Sequence, residues 1–328
     1  MNILLTGSVA FDYLMTFPGF FRDHILPEHL DSISLSFLVD SMRRVRGGIA
    51  PNIAYTLALF GEKPRLWATV GEDFEDYRLW LEAHGIDASG ARVIPGEFTA
   101  SFFVNTDRAN NQIASFYPGA MGKAAQLSLT ELVEQPPELV MISPNDPAAM
   151  DLYVQECRSL GFDYIYDPSQ QIVRMKPDEL CAGLEGALAL FVNEYEFALI
   201  QNLLRCDPLK MMRRISESSR SFVVITRGND GATVLAEGQT YHIPVVKPER
   251  ILDPTGVGDA FRGGFLAGYG HNLDWETCGQ MGALAATYCL EQVGTQGHSF
   301  TPDEFVRRFR SLFNDQGKLD FLCTSEVR

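Results

Sequence analysis

The chain has 328 residues, 46% of them hydrophobic and 21% charged, proportions of a folded globular protein that exclude a mostly disordered one. Its formal net charge of −15 argues against a nucleic-acid partner, because phosphate backbones demand a basic face, and against an anionic membrane surface. A small anionic ligand stays open, since backbone amides, a magnesium ion and a few basic side chains can outweigh the global charge locally.

In chain order, the opening Met-Asn-Ile-Leu-Leu-Thr-Gly-Ser lacks a basic leader region, and residues 3–5 read as a buried strand entering a turn. Residues 13–46 are rich in phenylalanine and too irregular for one long helix. Ile53, Leu57 and Leu59 predict a helix beginning at Asn52 and stopping near Gly61. Residues 66–70 follow as a strand closed by Gly71, then 73–84 as a helix with Gly85 as its C-cap. Residues 98–117 form a hairpin signal around a polar turn at 107–111.

Beyond the hairpin the rhythm alternates. Strands are expected at 139–143, 164–166, 187–192 and 222–226, helices at 148–160 and 194–204, and a hairpin at 233–235 with 241–246. Helices at 258–269 and 274–291 are expected to close the chain. Such alternation predicts an α/β fold, a mostly parallel sheet covered by helices on both faces. The stretches at 13–46 and 98–118 break the rhythm and are expected to form a small β-sheet lid on a single domain spanning 1–328. No apolar run reaches the roughly eighteen residues of a membrane span. The six cysteines show no Cys-x-x-Cys pair, so reduced thiols in a cytoplasmic protein are expected. No His or Cys cluster has zinc spacing.

The segment Asp253-Pro-Thr-Gly-Val-Gly-Asp259-Ala-Phe-Arg-Gly-Gly-Phe carries the most chemistry. A turn-rich run passes into a glycine-spaced helix, leaving the amides of Gly256, Val257 and Gly258 as unpaired helix-start donors, an anion hole. Asp259 would sit in the first helical turn, where the helix dipole favours an ionised carboxylate able to take a proton from an attacking hydroxyl. The plain alternative makes Asp259 a cap and the glycines packing residues. No Gly-x-x-x-x-Gly-Lys-Ser/Thr run is present, nor the protein-kinase motif set.

Asp253-x-x-Gly-x-Gly-Asp259-x-Phe resembles the C-terminal signature of the ribokinase-type (PfkB) carbohydrate kinases. Gly47-Gly48-x-x-x-Asn52-x-Ala54, with Val70-Gly71-x-Asp73 downstream, resembles their N-terminal signature, and Asn193-Glu-Tyr-Glu196 their Asn-x-x-Glu motif. Four segments look most like the bacterial adenosine kinases within that family: Thr6-Gly7-Ser8-x-Ala10-x-Asp12, Leu35-Ser36-Phe-Leu-Val-Asp40, Gln112-Ile-Ala-Ser-Phe116-Tyr-Pro-Gly-Ala-Met121 and Asp167-Pro-Ser-Gln170-Gln171. The resemblance implies a ribokinase-like three-layer α/β/α domain. It also implies phosphoryl transfer from magnesium-ATP to the 5′-hydroxyl of adenosine, with Asp259 as base and the 256–258 amides on the transferred group.

The resemblance further places Ser8, Asp12, Ser36, Gly48, Asn52, Phe102, Phe116, Gln170 and Gln171 around the nucleoside. Asp12 follows the first strand, where open α/β sheets bind ligands, and a carboxylate suits a ribose diol without titrating; a turn cap is its alternative. Asn52 can pair with the same hydroxyls or cap a helix, and Arg46 beside the glycine pair can reach phosphate. Phe102 and Phe116 offer faces to a purine or pack inside the lid. Asn193, Thr226, Arg227, Gly228 and Gly231 are the ATP candidates. Glu196 is expected to hold magnesium through water, and Asp253 a monovalent cation such as potassium, completed by residues 294–296. Partners are thus ATP and adenosine, with a homodimer through the lid. Two rivals stand: another sugar or nucleoside kinase of the family, and a nucleotide-binding sensor that lost turnover. The intact Asp259, Gly256 and Gly258 speak against the sensor.

Overall fold

The first strand, β1 (Ile3–Thr6), is buried at every residue, which a central place in a sheet covered on both faces satisfies. The structure, a computed structural model, describes residues 1–25, 31–32, 34–213 and 220–323. After β1 come β2 (Ala10–Thr16), β3 (Ser41–Gly47), α1 (Ile49–Leu59), β4 (Arg65–Val70), α2 (Glu75–Ala83) and β5 (Asp87–Val93). The chain continues through β6 (Ala100–Thr106), β7 (Gln112–Tyr117), β8 (Leu139–Ile142), α3 (Pro147–Leu160), β9 (Tyr164–Tyr166), α4 (Pro177–Leu184) and β10 (Ala189–Asn193). It ends with α5 (Glu194–Leu204), α6 (Pro208–Arg213), β11 (Phe222–Thr226), β12 (Ala232–Ala236), β13 (Gln239–Ile243), α7 (Val257–Gly270), α8 (Trp275–Leu290) and α9 (Pro302–Leu312).

Among the described residues the strands form two sheets. The larger has nine, ordered β13-β12-β11-β10-β9-β8-β1-β4-β5; it is parallel from β5 to β11 and antiparallel at β12 and β13. Side chains alternate across it. Ile3 and Leu5 pack with residues of α1, α2, α7, α8 and α9, while Leu4 packs on the other face with residues of α3, α4 and α5. Three layers result, as the alternation of elements implied. No helix among the described residues is long and apolar enough to cross a membrane.

The smaller sheet, ordered β3-β2-β6-β7, is the lid expected from the two aromatic-rich stretches. Between β2 and β3 the aromatics make no strand. Phe17, Phe21 and Phe37 instead pack ring against ring, with centroids 4.9–5.5 Å apart.

Several elements differ from expectation. Helix α1 starts at Ile49 with Gly48 as its N-cap, so Asn52 lies in the first turn and is not the cap. Helix α9 continues the chain past the expected last helix. Its start is fixed by a reciprocal pair, with Thr301 Oγ1 accepting from Glu304 N–H and Glu304 Oε2 from Thr301 N–H. β5 and α4 were not expected either; β5 is an edge strand whose residues are mostly exposed and which therefore lacks an apolar pattern.

Candidate active site

Helix α7 begins where the backbone turns left-handed: Gly256, its N-cap, has φ 78°, a conformation costly for residues with a Cβ. Thr295 crowds the same point, and a Cβ on Gly256 would lie 2.8 Å from the Thr295 Cβ. This helix start borders a cleft of about 460 Å³, lined here by Thr255, Gly256, Gly258, Asp259 and Arg262. Val257, between them, turns its side chain toward a second, apolar cavity.

Asp259 stands on the cleft floor. Its Oδ2 accepts a 2.8 Å hydrogen bond from Asn52 Nδ2 on α1. Burial pushes the carboxyl up to about 6; the Arg262 guanidinium and the Asn52 hydrogen bond oppose this, and Asp167 adds to it. The helix dipole was expected to favour the ionised form; desolvation opposes it and raises the carboxyl here. Arg262 is itself held by the wholly buried Asp167, Nε to Oδ2 at 2.6 Å and Nη2 to Oδ1 at 2.9 Å.

Across the cleft, Asp12 lies inside β2, beside Val45 of β3 and Phe102 of β6, so it is a strand residue and no turn cap. Burial first, and the charge of Asp253 second, push its carboxyl up to about 6. Ser8 borders the same space, and its Oγ accepts from Ile49 N–H at 3.2 Å. Gly48 adopts φ 96°, and a Cβ there would sit 2.5 Å from the Ser8 carbonyl oxygen. Phe102 and Phe116 are direct cross-strand partners on β6 and β7, and both line the cleft.

The far end is formed by Ser169, Gln170, Asn193, Glu196 and Thr226. Asn193 caps α5: its Oδ1 accepts from Glu196 N–H, and Glu196 Oε2 accepts from Asn193 N–H, both at 2.8 Å. Glu196 Oε1 accepts from Ser169 Oγ at 3.3 Å. Beyond Thr226 and Gly258 opens the second cavity, about 370 Å³, where Gly228 and Gly231 meet Val246, Ile251, Phe261 and Leu290.

Four expected positions stand elsewhere. Ser36 is exposed in the segment before β3 and borders neither cavity. Gln171, one residue from the cleft-lining Gln170, is 7% exposed and turned into the protein. Arg227 reaches away to Glu194 at 3.8 Å. The Arg46 guanidinium stacks over Trp80, 5.0 Å from the ring centroid. Asp253 lies just outside the cleft, its Oδ1 accepting from Thr255 N–H and its Oδ2 from Gly294 N–H; burial tends to raise it, but the Thr255 and Gly294 hydrogen bonds and Arg43 hold it below the ordinary range. The side-chain amide of Gln296, in the neighbouring segment, donates to Asn52 and Tyr77.

Sequence reasoning missed Arg262, Asp167 as its partner and Ser169, and took Thr295 only as part of a cation site. Arg262 carried a signal: it is the one charge inside the apolar run of residues 260–268, and a charge so placed needs a buried partner.

A model of the pfkB family carbohydrate kinases matches residues 9–302. The nucleoside kinase of Methanothermobacter thermautotrophicus is 30% identical over 313 residues, covering 94% of this chain and 95% of that protein. The structure of Burkholderia thailandensis nucleoside kinase in complex with inosine is 36% identical and superimposes with a TM-score of 0.81, covering 95% of this chain and 98% of that one. Adenosine kinase from Sinorhizobium meliloti, 18% identical, superimposes with a TM-score of 0.72 over 95% of this chain and 99% of its own, a likeness of fold.

Proposed function

The chain belongs to the pfkB family of carbohydrate kinases, and from that premise we propose that it transfers the γ-phosphoryl group of ATP to the 5′-hydroxyl of a nucleoside, adenosine first among them, giving the monophosphate and ADP. One observation carries this reading. A single cleft joins a carboxylate at a helix start, Asp259, to a second carboxylate, Asp12, beneath an aromatic pair, Phe102 and Phe116. Asp12 accepts from the ribose hydroxyls and the two rings stack on the base. Asp259 takes the proton of the 5′-hydroxyl as its oxygen attacks phosphorus, and the Gly256 and Gly258 amides receive the charge on the transferred group. The apolar cavity beside Gly228 and Gly231 takes the adenine of ATP.

Glu196 fits a magnesium ion held through water: its oxygens are anchored by Asn193 and Ser169, and it stands on the cleft wall. Bound there, magnesium neutralises phosphate charge. Asp253, kept ionised, fits a monovalent cation, potassium. A homodimer through the lid is proposed on its outer face, where Met42, Phe103 and Ile113 are 61%, 38% and 43% exposed. A cytoplasmic location is proposed on six cysteines that are all free.

A second acceptor reading, inosine, is favoured by the ligand of the Burkholderia structure. The experiment is coupled ATP turnover with adenosine, inosine, guanosine, ribose and fructose, read as kcat/KM. Adenosine is expected to lead. Turnover of free sugars without nucleosides would overturn the nucleoside assignment, and no turnover at all would favour a sensor.

A further inference from the structure

Behind the carboxylate on the cleft floor runs a chain of hydrogen bonds with a fixed polarity. The Tyr77 hydroxyl, wholly buried, donates to the Gly47 carbonyl at 3.0 Å. Gln296 Nε2 donates to the Tyr77 oxygen at 2.6 Å and to Asn52 Oδ1 at 2.8 Å. Asn52 Nδ2 then donates to Asp259 Oδ2 at 2.8 Å. Both ends are oxygens that only accept, the Gly47 carbonyl and an ionised Asp259, so every donor between them has one consistent direction. The cost of that direction is visible: Gln296 Oε1 is buried without a hydrogen-bond partner, because both N–H groups of the same amide are spent on the chain.

We propose that Gln296 is a positioning residue for the base, holding the Asn52 carbonyl so that the Asn52 N–H must face Asp259. The proposal rests on the reading of Asp259 as the base. A protonated Asp259 would be best served by the Asn52 carbonyl. To present it, Asn52 must turn over, which places its N–H groups against those of Gln296. Gln296 must then turn as well, and the Tyr77 hydroxyl must leave Gly47. The chain thus resists protonation of Asp259 and partly offsets the desolvation that favours it. Other charged or titratable groups facing Asp259 are Arg262 on α7, the Asp167 that pairs with it, Glu196 beyond them, and the Cys289 thiol on α8; Asp12 stands across the cleft. None of them touches Gln296 through a hydrogen bond among the described residues, so its contribution is separable.

The test compares the parent with Gln296→Leu and the isosteric Gln296→Glu, each also in an Asn52→Leu background. The readouts are pH profiles of kcat, the KM for ATP, and a carboxyl ¹³C titration of Asp259 in the substrate-free protein. Both Gln296 variants are expected to move the Asp259 titration and the acid limb of kcat upward by about one pH unit, the size of a lost hydrogen bond to a charge. The KM for ATP is expected to stay within about twofold. Gln296→Glu is expected to move the limb further, since its carboxylate turns the Asn52 N–H groups toward itself. In the Asn52→Leu background Gln296→Leu should add no shift. An unmoved titration in either folded variant, or equal shifts with and without Asn52, would overturn the proposal. The substrate-free titration reads the chain whatever the acceptor is, so failure of the nucleoside panel leaves this result standing.

Discussion

Asp259 is pulled two ways, toward the neutral acid by burial and toward the anion by Arg262 and Asn52. Asp259→Asn keeps the shape and removes the proton acceptor. It is expected to lower kcat by roughly 10²–10⁴-fold with the KM for ATP nearly unchanged; near-parental turnover would remove the base assignment. The same substitution is expected to raise thermal stability at neutral pH. The folded carboxyl titrates near 6 against an ordinary value of 3.8, so between those values the native state binds more protons than the unfolded chain, and the parent loses stability as pH rises through that window. Calorimetry should show the Asn variant drawing level near pH 4 and ahead by about 1–3 kcal/mol above pH 6, the scale of a two-unit shift. Asp12 titrates in the same range. With both carboxylates required as anions, the acid limb of kcat/KM should steepen toward a slope of two, and Asp12→Asn should restore a slope of one at lower activity. A slope of one in the parent would mean that only one of them must ionise.

Phe102→Ala and Phe116→Ala are expected to raise the nucleoside KM by about 5- to 100-fold, from stacking worth roughly 1–3 kcal/mol, with little change for ATP. Phe116 is 51% exposed, so little core packing is lost with it. A drop in melting temperature with both KM values unchanged would mark the pair as packing residues. Much of the cleft was legible at this scale because its residue types are unusual where they stand: glycines at a helix start, carboxylates beside them, paired aromatics on a hairpin. The failures have physical causes. Gln170 and Gln171 differ by one residue in a tight turn, and composition does not say which of two neighbours faces the cleft. Ser36 and Arg227 lie in loops, where no periodicity fixes a side-chain direction.

Among elements, the start of α7 is the most demanding. Gly256→Ala adds a Cβ at φ 78° and 2.8 Å from Thr295. It is expected to cost about 1–2 kcal/mol of stability and to lower kcat by displacing the helix-start amides. At Gly258 the near neighbour is only the Arg262 Nη1 at 2.9 Å, the tip of a long side chain, so Gly258→Ala should cost less in melting temperature. An equal loss at both positions would contradict this account of the turn. The buried elements could be read from sequence because apolar runs bounded by turns leave few alternatives. Helix α9 was overlooked although Thr301-Pro-Asp-Glu304 spells its start. The edge strand β5 offered no comparable signal, since exposed residues need no pattern.

For the whole molecule, association is proposed to run through the lid. Its strands alternate faces, and Met42, Phe103 and Ile113 fall opposite Phe102 and Phe116 by register. Light scattering is expected to report a dimer, and Ile113→Lys a monomer that stays folded; a parent that is monomeric at every concentration would end the lid-dimer proposal. The alternation of strands and helices predicted the layers, but strand order depends on which distant edges meet, and no local pattern records that.

That order has a consequence for synthesis on the ribosome. From β8 outward the sheet grows one strand at a time in chain order to β13, whereas β1 waits for β8, with Ile3 beside Leu139 and Thr6 beside Ile142. An emerging chain therefore carries an open, apolar strand edge until about 140 residues have appeared, a state open to wrong pairing. From then on each new strand covers the edge left by the one before. The proposed proton acceptor arrives on α7, after all thirteen described strands, so a chain stalled between β13 and α7 holds every described strand of the sheet and lacks that carboxylate.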